Sequence, residues 1–423
     1  MNNMNIIDEL EWRDAINQQT DAEGLRELVS EKKIALYCGV DPTGDSMHIG
    51  HLIPFMMMKR FQLFGHHPVI LIGGATGTIG DPSGRQTERQ LQTLEQVQDN
   101  VNALTAQMKK LFETDSDNKL AMVNNFDWTH KINIIDFLRD YGKNFSVNAM
   151  LAKDIVASRL DSGISFTEFS YQILQSMDFH HLFKEEDVQL QIGGADQWGN
   201  ITSGLDLIRK KEGPNAKAFG LTIPLMLKAD GTKFGKTAGG AIWLDPKKTT
   251  PFEFFQFWVN TDDRDVIRYL KFFTFLTKDV IVELENKVKT EPGKREAQRV
   301  LAEEMTRFVH SEEALVQATK ISEALFSGDI KSLTSDEIEQ GFKEMPTFQA
   351  TKEIKNIVDW LVDVGIEPSK RQAREDILNG AISMNGERVD DINMDVTIDK
   401  SFDGRFIIIR KGKKSYSLVK LGE

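Results

Sequence analysis

Two clusters of basic side chains, about 180 residues apart, are the first candidates for chemistry. The segment CGVDPTGDSMHIGH, residues 38–51, leaves an apolar run, turns at Pro42 and Gly44, and opens a helix at His48. His48 and His51 stand three apart, so they share one helical face near the N-terminus. Backbone N–H groups and the helix dipole favour a phosphate there, and two imidazole donors would stabilise charge growing on a phosphoryl group. The same pair would suit zinc or plain solvation, but a DPTG turn behind a buried strand shifts the balance towards a nucleotide. The second cluster is KFGKT, with Lys233 and Lys236 in a loop backed by Gly239 and Gly240. Such a pair can close on a triphosphate as a cationic clamp. Most short lysine pairs are merely solvated, and the histidines upstream are what make this one informative.

Two glycine motifs add strand-end candidates. LIGGATGTIGDPSGR, residues 71–85, contains a glycine pattern like a dinucleotide-binding loop. It follows the second strand rather than the first, however, and DPSGR interrupts the helix that such a loop should open. Asp81 would then sit at a strand end, where open α/β sheets bind ligands. In GGADQWGN, residues 193–200, a strand runs into a helix through Asp196, placed to accept from ribose hydroxyls or to act as a helix N-cap. Along YQILQSMD, Tyr171, Gln175 and Asp178 fall at i, i+4 and i+7 on one helical face. Taken alone, that face reads better as a polar stripe on a surface helix.

The elements that must hold these residues alternate in type. IALYCGV (34–40), PVILIGG (68–74), LAMVNN (120–125), VQLQIGG (188–194) and FGLTIPLML (219–227) read as strands. Helical patterns lie between them at 48–64, about 88–113 and from Asp196 onward, and a helical insertion spans about 130–185. This alternation predicts an α/β fold with a Rossmann-like doubly wound parallel sheet. It also predicts a catalytic domain over 1–227, then the KFGKT loop and a helical domain over 228–326. A polar linker over 327–351 and a small α+β domain over 352–423 follow. No apolar run approaches the roughly 20 residues of a membrane span, and MNNMNIIDELEW does not read as a signal peptide. The single cysteine, Cys38, excludes an intrachain disulfide and cysteine metal clusters. A net charge of −12 argues against bulk binding to a polyanion. Residues 351–423 hold 13 basic and 13 acidic side chains, so the excess negative charge lies before them and leaves the tail as one place for a polyanion.

HIGH, KFGKT, the insertion, the helical segment and the small tail together resemble the bacterial tyrosyl-tRNA synthetases, a class I family, over essentially the whole chain. KFGKT departs from the KMSKS signature at its second, third and fifth residues but keeps both lysines. The wording CGVDPT and GGADQWGN fits the tyrosyl rather than the tryptophanyl branch. So does SKRQAREDILNGAISMNGERV, which is similar to an alpha-L RNA-binding motif. The resemblance implies that Tyr37 and Asp178 contact the substrate phenol, and that Asp81, Tyr171 and Gln175 hold its α-ammonium group. It places Cys38, Gly39, Asp41, Thr43, His48, His51, Gly194, Asp196, Gln197, Lys233 and Lys236 around ATP. Thr43, His48, His51, Lys233 and Lys236 would act on the phosphates, and Lys370, Arg371, Arg374, Lys411, Lys413 and Lys414 would meet RNA. It further implies L-tyrosine, ATP with Mg²⁺ and tRNA(Tyr) as partners, no metal site of the protein's own, a homodimer and a cytoplasmic location. Two rivals stand beside it: a dehydrogenase using GGATGTIG, and a non-catalytic RNA-binding protein on the same fold.

Overall fold

The computed structural model describes residues 4–83, 87, 90–237, 240–343, 345–412 and 415–422. Packing divides them into two units, 1–248 with 261–301 and 249–260 with 302–423. The sheet of the first unit contains β1 (Gln18–Gln19), β2 (Ala35–Val40), β3 (His67–Ile72), β4 (Ala121–Asn124), β5 (Val188–Gly194) and β6 (Phe219–Ile223). Its order is β1-β6-β5-β2-β3-β4, parallel throughout except for β1, which runs antiparallel along the edge of β6. β3 is buried at all but its first residue, which is why it reads as one apolar run rather than an alternation. From β2 the chain moves outward to β3 and β4, then returns to place β5 on the other side of β2. The switch point between β2 and β5 is where an open α/β sheet leaves a crevice at its strand ends.

Helices Ile49–Leu63, Leu94–Leu111 and Trp198–Glu212 connect successive strands, and the insertion between β4 and β5 ends in the long helix Phe166–Glu185. Ser165 caps that helix by accepting from the Glu168 N–H. Glu168 itself is buried and binds the buried Arg159 at 2.9 Å. Loss of one partner of such a pair costs about 3–5 kcal/mol, so the start of this helix is firmly placed. Helices Asp263–Phe273 and Lys278–Thr290 also belong to this unit. Arg60, fully buried, donates to the carbonyls of Phe272 (2.5 Å) and Thr274 (2.8 Å), and Arg13 donates to those of Lys271 and Leu276, each at 2.7 Å. Two guanidinium groups thus satisfy the last carbonyls of helix Asp263–Phe273 and oppose its negative end.

In the second unit, helices Ile357–Asp363 and Lys370–Leu378 pack on a five-stranded sheet around Trp360, Leu361, Ile377, Ile382, Ile407 and Val419. The stretch 327–351, expected as a linker, is instead structured over most of its described residues. Helix Ser335–Gly341 starts with a Thr334/Glu337 capping box and buries Ile338 and Phe342, and strand Thr347–Ala350 pairs in parallel with Ser415–Leu421. The polar residues that suggested a linker, such as Asp336 and Glu339, face outward. A partner strand so distant in sequence leaves no local signal.

Candidate active site

A cavity of about 380 Å³ opens at the switch point. Tyr37, Cys38, Gly39 and Asp41 line it from β2 and the turn that follows, and Thr43 and His51 from the HIGH segment. Asp81 reaches it from the loop after β3, Tyr171, Gln175 and Asp178 from helix Phe166–Glu185, and Gly194, Asp196 and Gln197 from the end of β5. Residues far apart in sequence thus converge on one space. His48 stacks on His51 with ring centroids 4.0 Å apart, whereas Lys233 stands exposed on its loop. The side chain of Lys236, and Lys413 and Lys414 entirely, lie outside the described residues.

One end of the cavity suits a phenol. Asp178 is buried and accepts from Asn125 Nδ2 and Trp128 Nε1, both at 2.9 Å. Burial raises its carboxyl most, the two hydrogen bonds draw it back and the charge of Asp41 adds to the rise, which together leave it at about 7. Tyr37 is fully buried, and its Oη has no hydrogen-bond partner among the described residues. Burial first, and the nearby Asp178 charge second, keep that phenol protonated. A buried hydroxyl without a partner is costly, and a guest phenol that donates to Asp178 and accepts from Tyr37 removes the cost.

The other end suits a cation. Asp81 accepts from Gln197 Nε2 at 2.8 Å and from the Ser83 N–H at 2.9 Å. Gln197 Oε1 accepts from Gln175 Nε2 at 3.1 Å, and Gln175 Oε1 from Asn200 Nδ2 at 2.9 Å. Tyr171 donates its proton to Asp41 Oδ2 at 2.8 Å, which leaves its own oxygen as an acceptor. Asp41, grouped with ATP by the resemblance, is tied by this bond to the amino-acid end. Burial holds the Cys38 thiol up at about 12, so it forms an uncharged wall.

The glycine motifs make room for polar side chains. A Cβ on Gly73 would stand 2.1 Å from Asp41 Oδ1 and 2.3 Å from Thr76 Oγ1. The loop then forms the short turn Thr76–Thr78 rather than a dinucleotide-binding helix, which removes the dehydrogenase reading. At Gly194 a Cβ would meet Asp196 Oδ1 at 2.5 Å. Asp196 lies within the turn Ala195–Gln197, and Gln197 is the residue preceding the helix, so Asp196 is not its N-cap.

His48 is itself an N-cap. Its Nδ1 accepts from the Gly50 N–H, and His51 Nδ1 accepts from the His48 N–H, each at 3.1 Å. With both Nδ1 atoms accepting, each neutral ring carries its proton on Nε2 and presents it as a donor. The KFGKT loop is seated beside this helix start: the Ile49 N–H donates to Ile242 O at 2.9 Å, and Gly235, at φ +87°, lies against Ile49. Phe234 is buried with its ring centroid 5.0 Å from both Tyr269 and Phe273.

Sequence reasoning missed Asn125, Trp128, Thr76 and Asn200, whose roles depend on tertiary partners, although Thr76 and Asn200 fell inside glycine motifs already singled out. On the second unit, Arg371 and Arg374 are exposed on helix Lys370–Leu378, and Lys370 pairs with Asp359 at 2.9 Å. Lys411 lies 2.8 Å from the buried Glu367 and 2.9 Å from Asp376, so its charge serves a carboxylate pair within the fold.

Comparison with known proteins places the chain in a family. Residues 29–327 match the model for class I tRNA synthetases (W and Y), and 337–419 match the tyrosine–tRNA ligase SYY-like C-terminal domain. The chain is 82% identical to tyrosine–tRNA ligase 2 of Bacillus cereus over 419 residues, 99% of this chain and 100% of that one. It is 73% identical to tyrosine–tRNA ligase 1 of Enterococcus faecalis over 418 residues, again 99% and 100%. A C-terminally truncated mitochondrial tyrosyl-tRNA synthetase from Aspergillus nidulans shares the fold with TM-score 0.69 and 33% identity, covering 76% of this chain and 94% of that one. By sequence along its whole length, and by fold over three quarters of it, this chain belongs to the tyrosyl members of the class I tRNA synthetases.

Proposed function

We propose that the cavity holds L-tyrosine beside ATP, and that the protein joins them as tyrosyl-adenylate before passing tyrosine to the 3′ end of tRNA(Tyr). The observation that carries this reading is the buried Tyr37 hydroxyl, unpartnered, next to an Asp178 carboxylate held by two N–H donors. Phenylalanine would leave both groups unpaired. Asp81, Tyr171 and Gln175 take the ammonium group, which leaves the substrate carboxylate to attack the α-phosphorus of ATP. A carboxylate needs no general base. Catalysis is therefore positioning plus electrostatic stabilisation, with His48 and His51 donating from Nε2 and Lys233 and Lys236 closing on the phosphates. Among the described residues no three His, Cys, Asp or Glu side chains gather as a metal site, and Mg²⁺ enters as part of the ATP complex. Bound there, it would supply positive charge to the departing pyrophosphate.

Arg371 and Arg374, exposed and three apart, are proposed RNA contacts on the second unit. A homodimer is part of the same reading. Ile134, Ile135, Leu138, Val147 and Phe166, all within the insertion, are each more than half exposed, and a second copy would cover them. No helix among the described residues is long and apolar enough to cross a membrane, and a cytoplasmic location fits a tRNA substrate. ATP–pyrophosphate exchange measured with each of the twenty amino acids tests the activity. Tyrosine alone should support rapid exchange; equal exchange with phenylalanine would remove the proposed role of Tyr37 and Asp178. Sedimentation at micromolar concentration tests the dimer, and a single monomeric species would refute it.

A further inference from the structure

The two ends of the amino-acid cavity are joined by a chain of hydrogen bonds, buried at Asn125 and part-buried at Asp41, that runs through one hydroxyl. Thr76 is 3% exposed. Its Oγ1 donates to Asp41 Oδ1 at 2.7 Å and accepts from Asn125 Nδ2 at 3.0 Å. Every proton in the chain has an assigned place. Asn125 Oδ1 accepts from the Ala75 N–H at 2.8 Å, which settles the orientation of the amide. Its Nδ2 protons then go one to Thr76 and one to Asp178 Oδ2, at 2.9 Å. Asp41 receives the Thr76 proton on one oxygen and the Tyr171 proton on the other. Asn125 offers only donors at this point and Asp41 only acceptors, so the group between them must accept and donate at once. A hydroxyl does both. Gly73 leaves the space in which the bond forms.

We propose that Thr76 is a specificity-positioning residue: by satisfying Asn125 and anchoring it to Asp41, it aims Asp178 at the substrate hydroxyl. It acts on the phenol only through Asn125, and a hydrocarbon in its place takes away the acceptor of a buried Asn125 N–H. The asparagine then relaxes, and the acceptor for the phenol loses its fixed direction. The inference rests on Asp178 as the phenol acceptor, so the test must separate the two.

The test is kcat/KM for tyrosine and for phenylalanine in pyrophosphate exchange, with Thr76→Val, Thr76→Ser and Asp178→Ala compared with the unaltered protein. Thr76→Val should reduce the tyrosine-over-phenylalanine ratio by about two- to tenfold, the range of one net hydrogen bond. Thr76→Ser, which keeps the hydroxyl, should retain the ratio. Equal losses for both amino acids in Thr76→Val would mean a structural role alone and would overturn the proposal. A ratio lost in Thr76→Ser as well would also overturn it, because the hydroxyl would not be the operative group. If Thr76→Val does not unfold cooperatively, Thr76→Ala carries the same expectation without the added methyl crowding. An unchanged ratio in Asp178→Ala would instead remove the phenol assignment itself, whereas a ratio lost there but kept in Thr76→Val removes only the relay.

Discussion

Asp178 carries opposing influences whose balance has a measurable consequence. Its carboxyl stands at about 7, raised by burial and lowered by Asn125 and Trp128. The ionised carboxylate is the stronger acceptor for a phenol, so tyrosine binding favours loss of that proton. The kcat/KM for tyrosine should therefore rise with pH and level off above about 7, while that for phenylalanine, which has no hydroxyl to donate, shows no such rise. Parallel pH profiles for the two amino acids would contradict this. The spacing of Tyr171, Gln175 and Asp178 was legible because helical periodicity puts them on one face. The partners that set Asp178's state were not: Asn125 and Trp128 lie about 50 residues away, and only strand pairing brings them near. Likewise Lys411 reads in sequence as one more tail cation, and only the fold reveals the buried Glu367 beneath it.

Among the elements, the KFGKT loop depends on a seat built by others. Arg13 and Arg60 hold the end of helix Asp263–Phe273, and that helix presents Tyr269 and Phe273 to Phe234, one residue past Lys233. Phe234→Ala should slow adenylate formation by up to about 100-fold through misplacement of the lysines, with little change in the tyrosine dissociation constant. Phe234→Met, which refills the seat, should recover most of the rate. Pre-steady-state kinetics decide both, and an unchanged rate in Phe234→Ala would detach the loop from its seat. In the same assay Lys236→Ala should slow activation far more than it weakens tyrosine binding, because a loop cation acts mainly as charge grows on the phosphates. The long strands were legible as apolar runs, and the HIGH helix from its turn. The edge strand Gln18–Gln19 and the strand Thr347–Ala350 were not, since two polar residues or four mixed ones become a strand only when a distant neighbour supplies the ladder.

For the whole molecule, the cavity lies entirely within the first unit and the exposed tail arginines within the second. A chain ending after residue 343 keeps helix Ser335–Gly341 over its buried Ile338 and Phe342 and removes the tail sheet. It should still exchange pyrophosphate but charge tRNA poorly, with a flatter salt dependence of tRNA binding as phosphate contacts are lost. Full charging by that chain would show that the tail is not an RNA-binding module. The central claim is narrower: this protein selects tyrosine by satisfying two buried polar groups. Phenylalanine in the proposed pocket would leave Tyr37 and Asp178 unpaired, and that penalty is the source of the discrimination. The most direct test is the ratio of kcat/KM for tyrosine over phenylalanine in pyrophosphate exchange, before and after Tyr37→Phe. The unaltered protein should favour tyrosine strongly, and Tyr37→Phe should reduce the preference by about 0.5–1.5 kcal/mol, the value of one neutral hydrogen bond. An identical ratio in the two proteins would contradict the account.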